Sequence, residues 1–451
     1  MFKRKIYNKI KEWKENSDGK TALLIEGARR VGKSTVVEEF AKNEYAKYIL
    51  IDFSIAPNTV KELFDDMSDL NYFFLQLQLQ YRVELEVRNS VIIFDEVQLY
   101  PKARQAIKML VKDGRYDYIE TGSLISIKKN VKDILIPSEE RKLQMNPMDY
   151  EEFLWALNDT STMNLLQNIF ESKKAFGDQL NRKLMRDFRL YMLVGGMPQA
   201  VNEFITTNNF KKVDDVKRDI INLYEDDFRK IDSTGRLAML FEAIPSQLNK
   251  NTKGFQTKKV LNSYKTTDST ILSLISELKD SKVVSVAYHA NNPDVGLSAY
   301  KDLNRFKLYM ADTGLFVTLQ FKDKDFTENI IYEKLLNDKL STNLGYLYEN
   351  AVAQILTSTG NDLFYYTFAN VEQKRNYEID FILSKRNKIC PIEVKSSNYK
   401  KHSSLDEFYK KYSDRILNRY IIHTKDISKD KDILCLPIYL TQFISQSENN
   451  N

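Results

Sequence analysis

The stretch that most constrains this chain is Ala22-Leu-Leu-Ile-Glu-Gly-Ala-Arg-Arg-Val-Gly-Lys-Ser-Thr35. Its apolar start, Ala22 to Ile25, predicts a buried strand. Gly27 to Ser34 has the spacing G-x-x-x-x-G-K-[ST] of a phosphate-binding loop. Val36, Val37 and Phe40, with charges between them, predict a helix after the loop. Glycines let successive backbone N–H groups curl around an anion. The helix N-terminus adds partial positive charge behind it. Gly27, Ala28, Arg29, Arg30, Val31, Gly32, Lys33, Ser34 and Thr35 are therefore expected to bind a nucleotide. Lys33 would reach the β- and γ-phosphates, and the Ser34 hydroxyl would ligate Mg²⁺. A Gly-rich turn that matches by chance is the alternative.

A second stretch strengthens the first. Val91-Ile92-Ile93-Phe94 predicts a buried parallel strand, and Asp95 and Glu96 sit at its C-terminal end, where open α/β sheets bind ligands. Asp95 would hold Mg²⁺ and Glu96 would polarise the attacking water. Tyr116–Thr121 predicts a further strand, and Thr121 and Ser123 are placed to sense the γ-phosphate or merely to close a turn. Arg141 is a candidate arginine finger, with Arg29 and Arg30 as rivals.

The bulk properties fit an ordinary folded protein. The 451 residues carry 43% hydrophobic and 29% charged side chains, a length that suggests about two to four domains. A net charge of +5 is too small to argue for nucleic acid, although local basic patches could. With only Cys390 and Cys435, neither a disulfide framework nor a Cys-rich zinc site is on offer. No apolar core follows the basic Met1–Lys5, and no apolar run approaches membrane-spanning length. These features predict a cytoplasmic location without membrane association.

Phe2, Ile6, Ile10 and Trp13 predict an N-terminal helix over 2–16. Tyr48–Phe53 predicts a strand, and 60–88 a helical stretch. Residues 147–210 are helical and aromatic, broken by Gly195-Gly196-Met197-Pro198. That break is either a helix–helix connection or a lid in which Pro198 packs on an adenine. A charged helix over 212–231 follows. Helical patterns near 236–249, 256–264 and 268–280, then strands 283–288 and 306–310, suggest a winged helix. Its third helix exposes Asp268, Ser273 and Ser276, so protein contact is favoured over base reading.

Leu344, Leu347, Tyr348, Ala351, Val352, Ile355 and Leu356 predict an amphipathic helix, with Glu349 at the edge of the stripe. Glu378–Leu383 predicts one strand with Glu378 and Asp380 on a common face. Ile392-Glu393-Val394-Lys395 predicts another. If the two are neighbours, Asp380, Glu393 and Lys395 converge. The carboxylates would then hold Mg²⁺ or Mn²⁺ and Lys395 would orient a water, as in restriction-endonuclease-like nucleases. The alternative is an amphipathic hairpin with a solvated charged face. Lys385, Arg386, Lys388, Lys400, Lys401, Lys410 and Lys411 flank these strands and suit a phosphate backbone. The tail from residue 445 is expected to be disordered.

In order along the chain stand Gly-Ala-Arg-Arg-Val-Gly-Lys-Ser, Ile-Phe-Asp-Glu-Val-Gln, Thr-Gly-Ser, Gly-Gly-Met-Pro, Ala-Asp-Thr-Gly-Leu, Gly-Tyr-Leu-Tyr-Glu-Asn and Ile-Glu-Val-Lys. This series resembles a large prokaryotic family of archaeal-ATPase-like AAA proteins. The family joins a P-loop ATPase to a C-terminal domain of unassigned function with a restriction-endonuclease-like end. The resemblance implies an α/β fold: a P-loop NTPase with parallel sheet (1–145) and helical lid (146–211), then a linker helix and winged helix-like domain (212–335). A nuclease-like α/β domain (336–443) and a short tail would complete it. ATP and Mg²⁺ would be used through Lys33, Ser34, Asp95 and Glu96. Glu349 would join Asp380 and Glu393 as ligands of a second Mg²⁺ or Mn²⁺. The proline that often precedes the metal-binding Asp is replaced here by Ile379. Two functions follow. One is an ATP-hydrolysing switch that controls a C-terminal nuclease-like module acting on DNA or RNA. The other is a nucleotide-gated scaffold or DNA-binding regulator, with a protein partner and no cutting. Either a monomer or an oligomer is compatible with the sequence.

Overall fold

A computed structural model describes the chain except residues 123–137, 250–253, 262–266, 324–328, 338, 340–344, 371–374, 398 and 447–451. The chain divides into two compact units. The first holds residues 1–146 with 280–282, and the second the remainder.

The first unit is built on five strands: β1 (Ala22–Glu26), β2 (Lys47–Asp52), β3 (Ser90–Asp95), β4 (Asp117–Gly122) and β5 (Glu140–Gln144). Their order is β2-β3-β4-β1-β5 and every pairing is parallel. Parallel sheets need cover on both faces, which explains why β1, β3 and β4 are buried along their whole length. An aromatic core packs on this sheet. Phe53, Phe64 and Phe94 meet edge-on, with ring centroids 5.6–5.9 Å apart. Helix Ile6–Ser17 buries Ile6, Ile10 and Trp13. The helical pattern expected over 60–88 is broken. Asn58–Lys61 and a 3₁₀ turn come first, then helix Leu70–Tyr81, opened by the Asp69 cap and ended by Arg82 at φ 54°. β5 was not anticipated, because its sequence Glu-Arg-Lys-Leu-Gln is that of an exposed edge strand.

The second unit begins with helices, among them Asp178–Val194, Pro198–Thr207 and the amphipathic Phe210–Ile231. Two sheets follow. β6 (Val284–Ala290), β7 (Lys301–Met310), β8 (Leu363–Asn370) and β9 (Arg375–Ile379) form one, in the order β7-β6-β8-β9. β10 (Phe381–Lys385), β11 (Lys388–Val394), β12 (Arg419–His423), β13 (Ser428–Asp430) and β14 (Ile433–Pro437) form the other, in the order β10-β11-β12-β14-β13. The hairpin expected as a wing is present, since β6 and β7 pair antiparallel. However, β6 also pairs with β8, so the hairpin is the outer half of a larger sheet. Every residue of β6 is buried, and a free wing would leave one edge of it open. The single strand expected over 378–383 is two strands. The chain leaves β9 at Ile379, turns at Asp380, and enters the other sheet at Phe381.

Gly195-Gly196-Met197-Pro198 connects two helices, with Pro198 at the first position of the second. The glycines are required by a close approach. A Cβ on Gly195, where φ is +85°, would lie 2.4 Å from Asp312 Oδ1 and 2.9 Å from Gly314 Cα. Asp312 accepts the Gly196 N–H at 2.5 Å and the Leu315 N–H at 2.8 Å. Beside it Lys217, fully buried, donates to the carbonyls of Leu193 and Gly314 and to the Tyr332 hydroxyl. Two glycine-bearing motifs more than a hundred residues apart are therefore each other's packing partners.

Candidate functional site

In the first unit, β1 ends at Glu26 and helix Lys33–Glu44 starts after six intervening residues. Gly32 occupies its N-cap at φ 98°, and no side chain caps the first turn. Its N–H groups thus remain available for an anion. Arg30 is also left-handed, at φ 70°. A Cβ on Gly27 would lie 2.3 Å from the Met145 carbonyl oxygen, so only glycine fits there. Arg4 braces the loop, donating to the Val31 carbonyl at 2.8 Å and the Asn146 carbonyl at 2.6 Å.

Lys33 is buried and folds back over the loop, donating to the carbonyls of Gly27 and Ala28 at 3.0 Å each. Burial lowers its pKa, against the pull of Glu96 and Asp95. The Ser34 hydroxyl donates to Asp95 Oδ1 at 2.7 Å, and the Thr121 hydroxyl bonds to the same oxygen. Glu96 stands next along the chain at φ 52°, its N–H directed at Thr121 Oγ1 and its carboxylate held by Gln98. The loop and the Asp95 strand end are therefore adjacent. A hydroxyl and a carboxylate side by side are hard oxygen donors that fit Mg²⁺. The Ala28 carbonyl accepts from Lys33, Arg29 is half-buried, Thr35 and Arg30 are exposed, and Val31 is buried. Arg141 is exposed on edge strand β5, its Cα in register with Leu23 rather than with the loop. Ser123 lies outside the described residues. Pro198 belongs to the second unit.

The second unit contains a cleft of about 730 Å³ lined by Lys307, Glu349, Glu378, Asp380, Glu393 and Lys395, among others. The expected trio does share one wall. Lys395 and Glu393 form an ion pair at 2.6 Å, and Asp380 Oδ2 accepts the Val394 N–H at 2.7 Å. Burial, then Glu349, raises the Asp380 pKa well above the usual carboxylate range. Burial also raises Glu393, against the pull of Lys395. A residue absent from the sequence reading sits among the acids. Lys307 on β7 bridges Glu349 at 2.9 Å and Glu378 at 2.6 Å, and the Tyr309 hydroxyl also bonds Glu349. Burial alone would lower Lys307, yet Glu349, Tyr309 and Glu378 hold its pKa well above the usual lysine range. Glu349 and Asp380 are thus already neutralised or hydrogen-bonded. Among the described residues no group of three or more His, Cys, Asp or Glu is arranged to hold a metal ion. In this arrangement the residues do not fit a second divalent ion.

Residues 19–154 match the family model described as an AAA domain. The N-terminal region is an AAA-type P-loop ATPase domain. ATP and Mg²⁺ are the ligands that this family implies. Beyond the ATPase domain, residues 185–325 match a domain of unknown function (DUF8612) and 344–441 another (DUF4143). No curated protein matches the chain. Among solved structures, a Walker-type ATPase of Pyrococcus abyssi is 17% identical, with 71% of this chain and 96% of that one covered and a TM-score of 0.43. Cdc6p from Pyrobaculum aerophilum is 12% identical, with 74% and 94% covered and a TM-score of 0.25. Drosophila ORC bound to DNA is 14% identical, with 70% and 94% covered and a TM-score of 0.25. Scores this low do not define the fold of the whole chain. Among the described residues no helix is long and apolar enough to cross a membrane.

Sequence reasoning about the ATPase domain missed Arg4, whose partners lie 27 and 142 residues away. A buried arginine at the edge of an amphipathic helix carries no local mark of that role. In the cleft it missed Lys307 and Tyr309. The alternation Lys307-Leu308-Tyr309 does place both on one face of a strand. That pattern could have pointed to a polar pair facing inward.

Proposed function

We propose that the chain is an ATP-hydrolysing switch. Lys33 and the N–H groups of 27–34 hold the β- and γ-phosphates, while Ser34 and Asp95 hold Mg²⁺. Glu96 polarises the attacking water, and Thr121 reports on the γ-phosphate through its bond to Asp95. The metal supplies charge neutralisation when bound. The observation that carries this reading is the 2.7 Å contact between Ser34 and Asp95, two motifs 61 residues apart. Lys33 donates to two loop carbonyls. A γ-phosphate would draw it off them, giving the loop two states for a ligand to choose between. Replacing Lys33 with Ala should abolish ATP turnover and leave the circular dichroism spectrum unchanged. Unaltered turnover would refute the assignment.

Nucleotide state is proposed to control the charged cleft of the second unit, which would act on DNA or RNA. Two versions differ in what the cleft does. Convergence of Asp380, Glu393 and Lys395 supports the nuclease-like version. The Lys307 bridge across Glu349 and Glu378 favours the other, a nucleotide-gated scaffold or nucleic-acid-binding platform without cutting. Incubating labelled DNA and RNA with Mg²⁺ or Mn²⁺ separates them. Cleavage lost in both Asp380→Ala and Lys395→Ala supports a nuclease, whereas ATP-dependent binding without cleavage supports the platform. Residues 146–211 as lid, Pro198 at an adenine and Arg141 as arginine finger belong to the same proposal. Their test is ATP turnover in Pro198→Ala and Arg141→Ala.

A further inference from the structure

β11 and β12 run parallel as neighbours, with the Lys395 N–H donating to the Ile422 carbonyl at 2.8 Å. Residues at and beyond their carboxyl ends, 395–397, 399–400 and 423–425, line a pocket of about 240 Å³. Carboxyl ends of neighbouring parallel strands are where α/β sheets place ligands. This pocket is separate from the acidic cleft and shares with it only the wall of Lys395, Ser396 and Ser397.

Its chemistry is cationic and hydrogen-donating. Lys395, Lys400 and Lys425 line it together with Ser397, Tyr399 and His423. Lys395 is committed to Glu393. Among the described residues neither Lys400 nor Lys425 has an acidic partner. The nearest acid in sequence, Asp426, is spent on backbone: it accepts the N–H groups of Phe176, Gly177 and Ile427. His423 is 3% exposed and stacks on Tyr399, ring centroids 4.3 Å apart. Its Nδ1 accepts the Lys425 N–H at 2.8 Å, which leaves the proton on Nε2. That Nε2 is buried without a partner. Burial, then Lys425, pushes the His423 pKa down to about 4, so the ring is a neutral donor at physiological pH. An unmet buried donor costs on the order of 1–3 kcal/mol and calls for an explanation.

We propose that this pocket binds one phosphoryl group, supplied by free phosphate or by the terminal phosphate of a nucleic-acid strand. The volume accommodates a single phosphoryl group. Lysines of this kind hold phosphate as point charges, and hydroxyls and an N–H satisfy its oxygens. The proposal does not depend on whether the acidic cleft cuts.

The test uses the full chain carrying Lys33→Ala, which removes the P-loop lysine as a competing phosphate ligand. Calorimetric titration with inorganic phosphate, and with a single-stranded oligonucleotide bearing 5′-phosphate or 5′-hydroxyl, is compared with the same protein carrying Lys400→Ala and Lys425→Ala. The expected result is saturable binding that weakens at least tenfold in the lysine variant. Tenfold preference for the 5′-phosphate oligonucleotide assigns the source to nucleic acid, and binding of inorganic phosphate alone assigns it to the free anion. Absence of saturable binding, or equal binding by both proteins, overturns the proposal. ATP turnover of Lys400→Ala/Lys425→Ala with Lys33 intact should equal that of the unaltered chain, so failure here is distinct from failure of the ATPase assignment.

Discussion

Replacing Lys307 with Met tests whether the acidic cleft carries its own counter-ion. Met keeps the length and most of the apolar stem and removes only the ammonium. Lys307 is 2.9 Å from Glu349 and 2.6 Å from Glu378, with its side chain 7% exposed. At an effective dielectric of about 20, each unit pair about 3 Å apart is worth roughly 5–6 kcal/mol before desolvation. Desolvation of the ammonium and carboxylates offsets much of that. Removing one partner of a buried pair nonetheless costs about 3–5 kcal/mol, because uncompensated charge is left behind. The deficit should appear as exchange of the amides in helix Gly345–Ser358, which carries Glu349, faster by on the order of 100-fold or more. The pH dependence has a definite sign. Burial raises the Asp380 pKa and Lys307 opposes that rise, so without Lys307 the Asp380 carboxyl holds its proton more tightly in the folded state, and the variant regains stability as pH falls and loses it as pH rises. Added Mn²⁺ should restore the variant and leave the parent unchanged. At a concentration 100 times its Kd, a bound ion returns about 2.7 kcal/mol. Exchange within about fivefold of the parent at pH 7.5, or equal protection of both proteins by Mn²⁺, would refute the counter-ion reasoning.

Other expectations are equally direct. Gly195→Ala should destabilise the second unit by more than about 2 kcal/mol, since it adds a steric clash to an unfavourable φ. Gly235→Ala, also at positive φ but with nothing within 4 Å of its Cβ, should cost only about 1 kcal/mol. Urea unfolding compares them. Glu120 is fully buried beside Glu140, and burial, then Glu140, raises its pKa well above the carboxylate range. Folding therefore favours the protonated carboxyl, and stability is lost as pH rises above the unfolded glutamate range. Glu120→Gln should be the more stable form at pH 7.5 by on the order of 1 kcal/mol or more, with the difference vanishing near the unfolded glutamate pKa. Thermal melts across pH 4–8 measure it. Asp95→Asn should reduce ATP turnover by at least tenfold while nucleotide still binds, read by fluorescent-nucleotide titration.

The phosphate loop was legible because its parts are contiguous. Gly27, Gly32, Lys33 and Ser34 lie within eight residues, and their geometry follows from a strand, a turn and a helix start. Helix 268–280 was legible for a related reason: Ile271, Leu274, Ile275 and Leu278 repeat at helical spacing, and they are buried. Glu393 and Lys395 were legible as strand neighbours on one face. The strand break at Asp380 was not, because alternation alone does not reveal that a chain changes sheets. The buried helix Gly345–Ser358 shows the same limit. Its apolar stripe was evident, but Asn350 and Gln354 are buried too, bonded to Met310 and Thr313. Polar residues in a stripe analysis are assigned to solvent.

What the sequence by itself determined was the identity and local geometry of a nucleotide loop and of an acidic strand end, since backbone groups and near neighbours make both. Only the tertiary structure decided how charges were settled. It placed Lys307 between Glu349 and Glu378, residues 42 and 71 positions away, and it closed Gly195 onto Gly314. Partners so distant are chosen by which strands and helices pack together, and a buried charge takes its pKa and its role from those partners.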